Sequence, residues 1–259
     1  MKTLKLEPQY SLKKIRNFFN TACLKSSKQI ISIPINQCRH YCGFRYGCNS
    51  LNPYEQYIIG LHQKQSLETI RKRFEEFLLY YRPQNFGEVF GIELSKHIPL
   101  WIYPWHEGDN FNINNGWLEN ADDIIDIITH FSHQGVKRSQ INQEYKWLEG
   151  AYHSISSIGY QPQKYDYIEV WKLARQDSQS VFIVKEGNHR LSSLVALGHS
   201  DVVVRCYLFE TIKEQNCHQW KQVQLGNYSE EDALKIFNVY FAGVDNFRKT
   251  QKPAIIIEK

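Results

Sequence analysis

Residues Glu186-Gly187-Asn188-His189-Arg190 set an acid, an amide, an imidazole and a guanidinium side by side. The apolar run Val181-Phe182-Ile183-Val184 precedes them, and Leu191, Leu194 and Val195 follow at helical spacing. A polar turn between a strand and a helix has two uses. As a solvated cap, Asn188 accepts a first-turn N–H, Arg190 stays in water and His189 packs on a neighbour. As an anion site, it exploits the unpaired N–H groups and the positive dipole end of a helix N-terminus. Gly187 and Asn188 then bring the backbone close to the ligand, and His189 and Arg190 add donors, a guanidinium gripping two phosphate oxygens at once. The N–H groups of Ser192 and Ser193 complete such a phosphate site. Glu186 takes a proton or holds a Mg²⁺ that bridges phosphates.

The elements that must position this turn are legible on both sides of it. Residues 167–174 and 180–186 are strand-like runs joined by the polar stretch 175–179, a hairpin pattern. Residues 190–197 give the short helix, stopped at Gly198, and 202–208 another strand. Upstream, Ser139 opens a longer helix with Ile141, Tyr145, Leu148, Tyr152 and Ile155 in line, ending at Gly159 with Pro162 beyond. Glu144 and Lys146 lie on that helix, in reach of the same pocket. Downstream, Ser229 with Asp232 resembles a capping box before a last helix carrying Ala233, Ile236, Phe237, Tyr240 and Phe241. The C-terminal tail reads as an exposed strand or arm.

Toward the N-terminus the chain reads as mostly helical. A basic helix is expected over 11–24, and 29–35 is a β-branched run. Asn52-Pro53 starts a helix over 54–62, and Ser66 starts another with Leu67, Ile70, Phe74, Phe77, Leu78 and Tyr81 inward until Pro83. Residues 99–105 are aromatic and extended, 108–116 a loop rich in Gly and Asn, and 122–131 a helix. The expected division is a helical region with a basic arm over 1–98 and a nucleotide-binding domain with a C-terminal helix over 99–259.

Other groupings admit competing uses. Cys38, His40, Cys42 and Cys48 invite a metal, but their spacing fits no common zinc pattern, and packed thiols are the simpler expectation. Arg39 and Arg45, beside Tyr41 and Tyr46, either bind phosphate or are ordinary surface residues. Trp101, Tyr103 and Trp105 form a stacking surface for a sugar or base, or else core. His106, Glu107 and Asp109 follow directly, carboxylates that could lie near the site, and Cys217-His218 reads as structural. No Walker loop, GxSxG, HExxH or dinucleotide fingerprint occurs.

Bulk properties set the frame. With 259 residues, 42% hydrophobic and 22% charged, the chain can bury a proper core, which excludes a disordered or fibrous protein. Up to Tyr46 nine basic residues face the single acid Glu7, a net +8, so the total of +4 leaves −4 for the remainder. Such an arm suits a membrane surface, a nucleic acid or an acidic protein, or is a basic helix with no partner. There is neither a run of about 20 apolar residues nor an apolar secretory core behind the basic start. The six cysteines show no disulfide framework. The expected location is the cytoplasm.

Glu186-Gly-Asn-His-Arg190, with Leu194, Ala196, Leu197 and Gly198 behind it and Val202-Val-Val-Arg205 after it, resembles the second signature box of the ParB/sulfiredoxin superfamily. Tyr152-His-Ser-Ile-Ser-Ser-Ile-Gly159, followed by Gln161-Pro162, resembles its first box. The likeness covers roughly residues 135–210. It implies an α+β fold, a small mixed sheet flanked by helices, with the helical N-terminal region as an elaboration. It also implies binding of ATP or another nucleoside triphosphate with Mg²⁺ at the second box.

Within that superfamily, sulfiredoxins carry a Cys before the His-Arg pair, where this chain has Asn188, which argues against thiol repair. ParB clamps carry an Arg where His189 stands, and a DNA-reading domain downstream for which no segment is evident, which argues against nucleic acid as the partner. The box is nearest to the acid-Gly-His-His-Arg of the free-serine-kinase branch. Phe44-Arg-Tyr-Gly47, Glu144 and the spaced Trp220, Val223, Gly226, Tyr228, Ser229, Asp232 and Ala233 are also similar to uncharacterised bacterial proteins of surface-polysaccharide gene clusters. The resemblance therefore implies a phosphotransferase acting on a small-molecule or glycan hydroxyl. Glu186, His189 and Glu144 would be catalytic, and Gly187, Asn188, His189, Arg190, Ser192, Ser193 and Lys146 would hold the nucleotide. The alternatives are a nucleotide-sensing regulator or scaffold without turnover, and a DNA-associated CTPase or nuclease.

Overall fold

The β-branched runs become the strands of the protein, whose computed structural model describes residues 28–47, 50–107, 136–207, 211–245, 247 and 256–257. In chain order these strands are β1 (Lys28–Pro34), β2 (Cys38–Arg39), β3 (Val136–Lys137), β4 (Ile168–Ala174), β5 (Ser180–Glu186), β6 (Asp201–Tyr207), β7 (Ile212–Lys213) and β8 (Ile256–Ile257). The helices are α1 (Pro53–His62), α2 (Leu67–Tyr80), α3 (Phe86–Phe90), α4 (Arg138–Ile158), α5 (Pro162–Tyr165), α6 (Asn188–Ala196), α7 (Lys221–Gln224) and α8 (Glu230–Ala242). The expected basic helix over 11–24, the loop over 108–116 and the helix over 122–131 lie outside the described residues, as does most of the C-terminal tail. In that tail, β8 pairs in parallel with β3.

The fold is α+β, a mixed six-stranded sheet flanked by helices. Its order is β1-β6-β4-β5-β2, with β7 beside the far end of β4. The expected hairpin is β4–β5, antiparallel with Val170 opposite Val184. β1 runs antiparallel to β6, whereas β6–β4 and β5–β2 are parallel. The outermost strands β1 and β2 therefore come from the first forty residues of the chain, ahead of the helices that dominate that region.

Strand alternation distributes side chains to two faces. Ile168, Val170, Phe182, Val184, Val202 and Val204 face Leu191 and Leu194 of α6 and Ile155 of α4. Leu173, Val181 and Ile183 point the other way, into a larger aromatic core built from α1, α2, α3, α4 and α8. Phe74, Phe77, Tyr81, Phe86, Phe237 and Tyr240 are all essentially buried there. Many of its rings meet edge to face, as Phe44 and Phe77 do at 6.1 Å, each such pair contributing about 1 kcal/mol beyond area burial. Trp101, Tyr103 and Trp105 belong to this core and not to a stacking surface. Residues before and after position 98 share both the sheet and the aromatic core, so the chain does not divide there.

Local chemistry starts and ends the helices much as the sequence suggests. Asn52 Oδ1 accepts from Tyr54 N–H at 3.1 Å with Pro53 at the first helical position, and Ser229 Oγ accepts from Asp232 N–H at 3.1 Å. Ser66 stands at the N-cap of α2 without a side-chain cap bond. Among the described residues no helix is long and apolar enough to cross a membrane.

Candidate functional site

α6 begins where β5 ends. Gly187 makes the turn with φ 99°, a conformation L side chains resist, and a Cβ there would meet Ile168 Cγ1 at 2.8 Å. Gly187 is the N-cap residue, and its carbonyl accepts the Leu191 N–H at 2.9 Å, the first helical bond. The N–H groups of Asn188, His189 and Arg190 therefore have no acceptor inside the helix, and a glycine cap offers no side chain to them. The helix starts two residues earlier than expected. That moves Ser192 and Ser193 into the second turn, where backbone N–H groups are committed to the helix. Both serines are fully buried: Ser193 Oγ donates to the His189 carbonyl at 2.8 Å, and Ser192 Oγ has no partner among the described residues. The N–H groups left without an intrahelical acceptor are thus those of residues 188–190, not those of Ser192 and Ser193.

The long helix α4 delivers Glu144 to this turn. Ile141, Tyr145 and Leu148 fix its buried face, and Glu144, 4% exposed, sits at the edge of that stripe. Its Oε2 lies 3.1 Å from His189 Nε2. With Glu144 ionised, Nε2 carries the proton and Nδ1 keeps its lone pair, the arrangement of a base oriented by a carboxylate. The imidazole also stacks near two rings, Tyr54 of α1 at 5.8 Å and Trp147 of α4 at 6.1 Å. Lys146, two positions beyond Glu144 and so about 200° around the helix, is exposed and is not brought to the pair.

Asn188 is fixed from the opposite side. Tyr46 Oη, from the Phe44-Arg-Tyr-Gly47 loop, donates to Asn188 Oδ1 at 2.7 Å, so Asn188 accepts a side-chain bond and does not cap its helix. The same loop is held by Glu55 of α1, fully buried, whose Oε2 accepts the Gly47 N–H at 3.0 Å. Glu55 Oε1 has no partner among the described residues, and burial pushes this carboxyl up to about 8. His40 is equally buried: its Nδ1 accepts the Cys42 N–H at 3.2 Å, which leaves the proton on Nε2, without a partner among the described residues. Burial, and after it the nearby His189, holds His40 well below the usual imidazole range. Tyr54, Glu55 and Trp147 belong to no motif in the sequence. The one cue to Glu55 is an acid in the first turn after Asn52-Pro53, which reads as ordinary helix-dipole chemistry.

The arginines have structural duties. Arg190 donates from Nη1 to the carbonyls of Tyr165, at 3.1 Å, and Asp166, and from Nη2 to that of Tyr167 at 3.4 Å. It ties the α5–β4 loop, in which Asp166 has a φ of 74°, over Gly187. Arg39 is buried and donates to the carbonyls of Tyr240 at 2.7 Å, Asn36 at 2.7 Å and Cys38 at 2.8 Å. Arg45 donates to the Ala242 carbonyl at 3.0 Å and to Asp245 beyond it. The two guanidiniums thus satisfy the C-terminal carbonyls of α8, the negative end of a helix, and neither faces a phosphate site.

Glu186 ends β5 with its side chain open to solvent at one side and without a side-chain hydrogen bond among the described residues. Burial first, and the charge of Glu169 opposite it second, raise its carboxyl above the ordinary value. Burial opposes ionisation of Glu169 too, but bonds from Arg205 at 3.0 Å and Tyr207 at 2.9 Å and the charge of Lys28 hold it below the usual range. Mg²⁺ takes one or two carboxylates and completes its shell with phosphate oxygens and water. The Glu186 carboxylate, beside the α6 N-terminus, could serve as one such ligand. No cluster of three or more acidic, His or Cys ligands occurs among the described residues.

The cysteines behave as packed thiols. Cys38 and Cys42 are fully buried, and burial pushes Cys38 up to about 12, while Cys48 lies outside the described residues. Cys217 Sγ packs 3.6 Å from the Glu230 carbonyl. His106 is pushed down to about 4 by burial and by Lys185, and Asp109 lies outside the described residues.

The chain matches no protein-family model, no curated protein and no solved structure.

Proposed function

We propose that this chain is a cytoplasmic, nucleotide-binding phosphotransferase whose site is the N-terminus of α6, acting on a hydroxyl of a small molecule or glycan precursor. The observation that carries the proposal is the buried Glu144 carboxylate 3.1 Å from His189, at a helix start with unused N–H groups and no side-chain cap. Phosphoryl transfer needs mainly positioning and charge neutralisation, and this arrangement supports both.

The phosphates would lie against the N–H groups of residues 188–190, where Gly187 leaves room for close approach. Glu144 holds His189 Nε2–H, so that Nδ1 takes the acceptor's hydroxyl proton as its oxygen bonds to the terminal phosphorus. The bond from that phosphorus to the bridging oxygen breaks, and the nucleoside diphosphate leaves. Mg²⁺ on Glu186 would neutralise phosphate charge. Arg190 and the Tyr46–Asn188 bond position the turn and do not touch the ligand. ParB/sulfiredoxin-like ancestry and a role in surface-polysaccharide synthesis rest on the resemblance of the two boxes and of the overall layout.

Incubation of the full chain with Mg-ATP and candidate hydroxyl acceptors, followed by chromatography, tests the reaction. ADP and a phosphorylated acceptor are expected. Nucleotide that binds and survives every acceptor would replace this reading by that of a nucleotide-sensing regulator.

A further inference from the structure

Trp147 is on α4, three residues beyond Glu144 and so on nearly the same face, and 37% exposed, the only tryptophan among the exposed large hydrophobic residues of the described chain. An exposed aromatic needs no explanation by itself. What distinguishes this one is its neighbour: its ring runs nearly parallel to the His189 imidazole, 27° between planes at 6.1 Å. On the other side of His189 lies Tyr54, on whose ring His40 stacks at 5.0 Å; His40 Nε2 is buried and has no partner among the described residues.

Resting on the phosphate site proposed above, we infer that Trp147 is the platform on which the planar base of the bound nucleotide stacks. The indole lies beside the imidazole of His189, whose own backbone N–H is one of the phosphate donors proposed above. A nucleotide joins base to phosphate through its ribose. Stacking on an aromatic face tolerates any base, because every base has a π-face. Trp147 is thus a specificity element for nucleotides over inorganic polyphosphate, with little preference among bases.

Calorimetric titration of the full chain with Mg-ATP and with Mg-tripolyphosphate, on wild type, Trp147→Ala and Trp147→Phe, tests this. Trp147→Ala should weaken ATP roughly tenfold or more and leave tripolyphosphate unchanged, and Trp147→Phe should retain most of the ATP affinity. Thermal unfolding without ligand checks that both variants fold. Equal weakening of the two ligands, or of neither, overturns the platform while leaving the phosphate site intact. A loss confined to a sugar phosphate such as glucose 1-phosphate overturns it in favour of the acceptor's ring. If wild type binds neither polyphosphate nor ATP, the phosphate site falls, and the platform with it.

Discussion

His189 Nε2 and Glu144 Oε2 meet at 3.1 Å although 45 positions separate them in the chain. Two packed helices, α4 and α6, bring them together, and burial of Glu144 makes the carboxylate a fixed orienting group, not a solvated charge. Replacing Glu144 by Gln keeps its volume and removes its charge. Turnover should fall about 10²–10³-fold while nucleotide affinity changes by less than about threefold, because the lost term acts only in proton transfer. Parallel losses in affinity and turnover would place Glu144 in ligand binding instead.

Tyr46 and Asn188 make the same kind of long-range tie on the other side of the turn, at 2.7 Å. Tyr46→Phe should cost about 1 kcal/mol of stability. Combined with Asn188→Ala, it should show a coupling energy of about 1 kcal/mol in denaturant melts. Simple additivity of the two changes would mean the bond contributes nothing.

Arg39 is the stronger of the two guanidiniums that close α8. Arg39→Met leaves the carbonyls of Tyr240, Cys38 and Asn36 without this donor, the first two bonds buried, and should cost about 3 kcal/mol in urea unfolding. Arg45→Met, at a more exposed position, should cost about 1 kcal/mol or less. Neither should alter nucleotide affinity of the folded protein. A stable Arg39→Met protein that has lost ligand would restore the phosphate-binding role.

Glu55 makes the protein's stability pH-dependent in a stated direction. Its folded value of about 8 lies above the ordinary 4.5, so between them the folded chain holds a proton that the unfolded chain has released. The contribution of Glu55 is full below about pH 4.5 and is lost as pH rises from there through about 8, at up to about 1.4 kcal/mol per pH unit. Glu55→Gln should flatten that slope relative to wild type in chemical melts at a series of pH values. Identical slopes would show that the carboxyl titrates normally.

Much of the architecture is legible in the sequence because it is written in local periodicity. The hairpin β4–β5, the helix ending at Gly159 and the caps at Asn52 and Ser229 each depend on neighbouring residues. The contribution of β1 and β2 to the central sheet is not local: strand pairing across more than a hundred residues leaves no trace in spacing, so the first region reads as helical and separable. The site divides in the same way. Glu186 to Arg190 is visible as a polar turn between strand and helix, and Glu144 as an acid on the adjoining helix. Tyr54, Glu55 and Trp147 enter only through packing of α1 and α4 on α6. Arg39 and Arg45 mislead because a guanidinium that caps a distant helix and one that grips phosphate look the same in one dimension. Ser192 and Ser193 shift role because two residues of helix start decide which N–H groups stay unpaired.

The most direct test of the central claim is a thermal-shift series with Mg-ATP, Mg-CTP and Mg-GTP on wild type and His189→Ala. A ligand at 100 times its Kd stabilises the folded state by about 2.7 kcal/mol. A saturable rise in Tm is expected for wild type with at least one nucleotide, and it should be largely retained in His189→Ala, because backbone N–H groups hold the phosphates and the imidazole acts in proton transfer. No shift with any nucleotide, or a shift lost in His189→Ala, would contradict this.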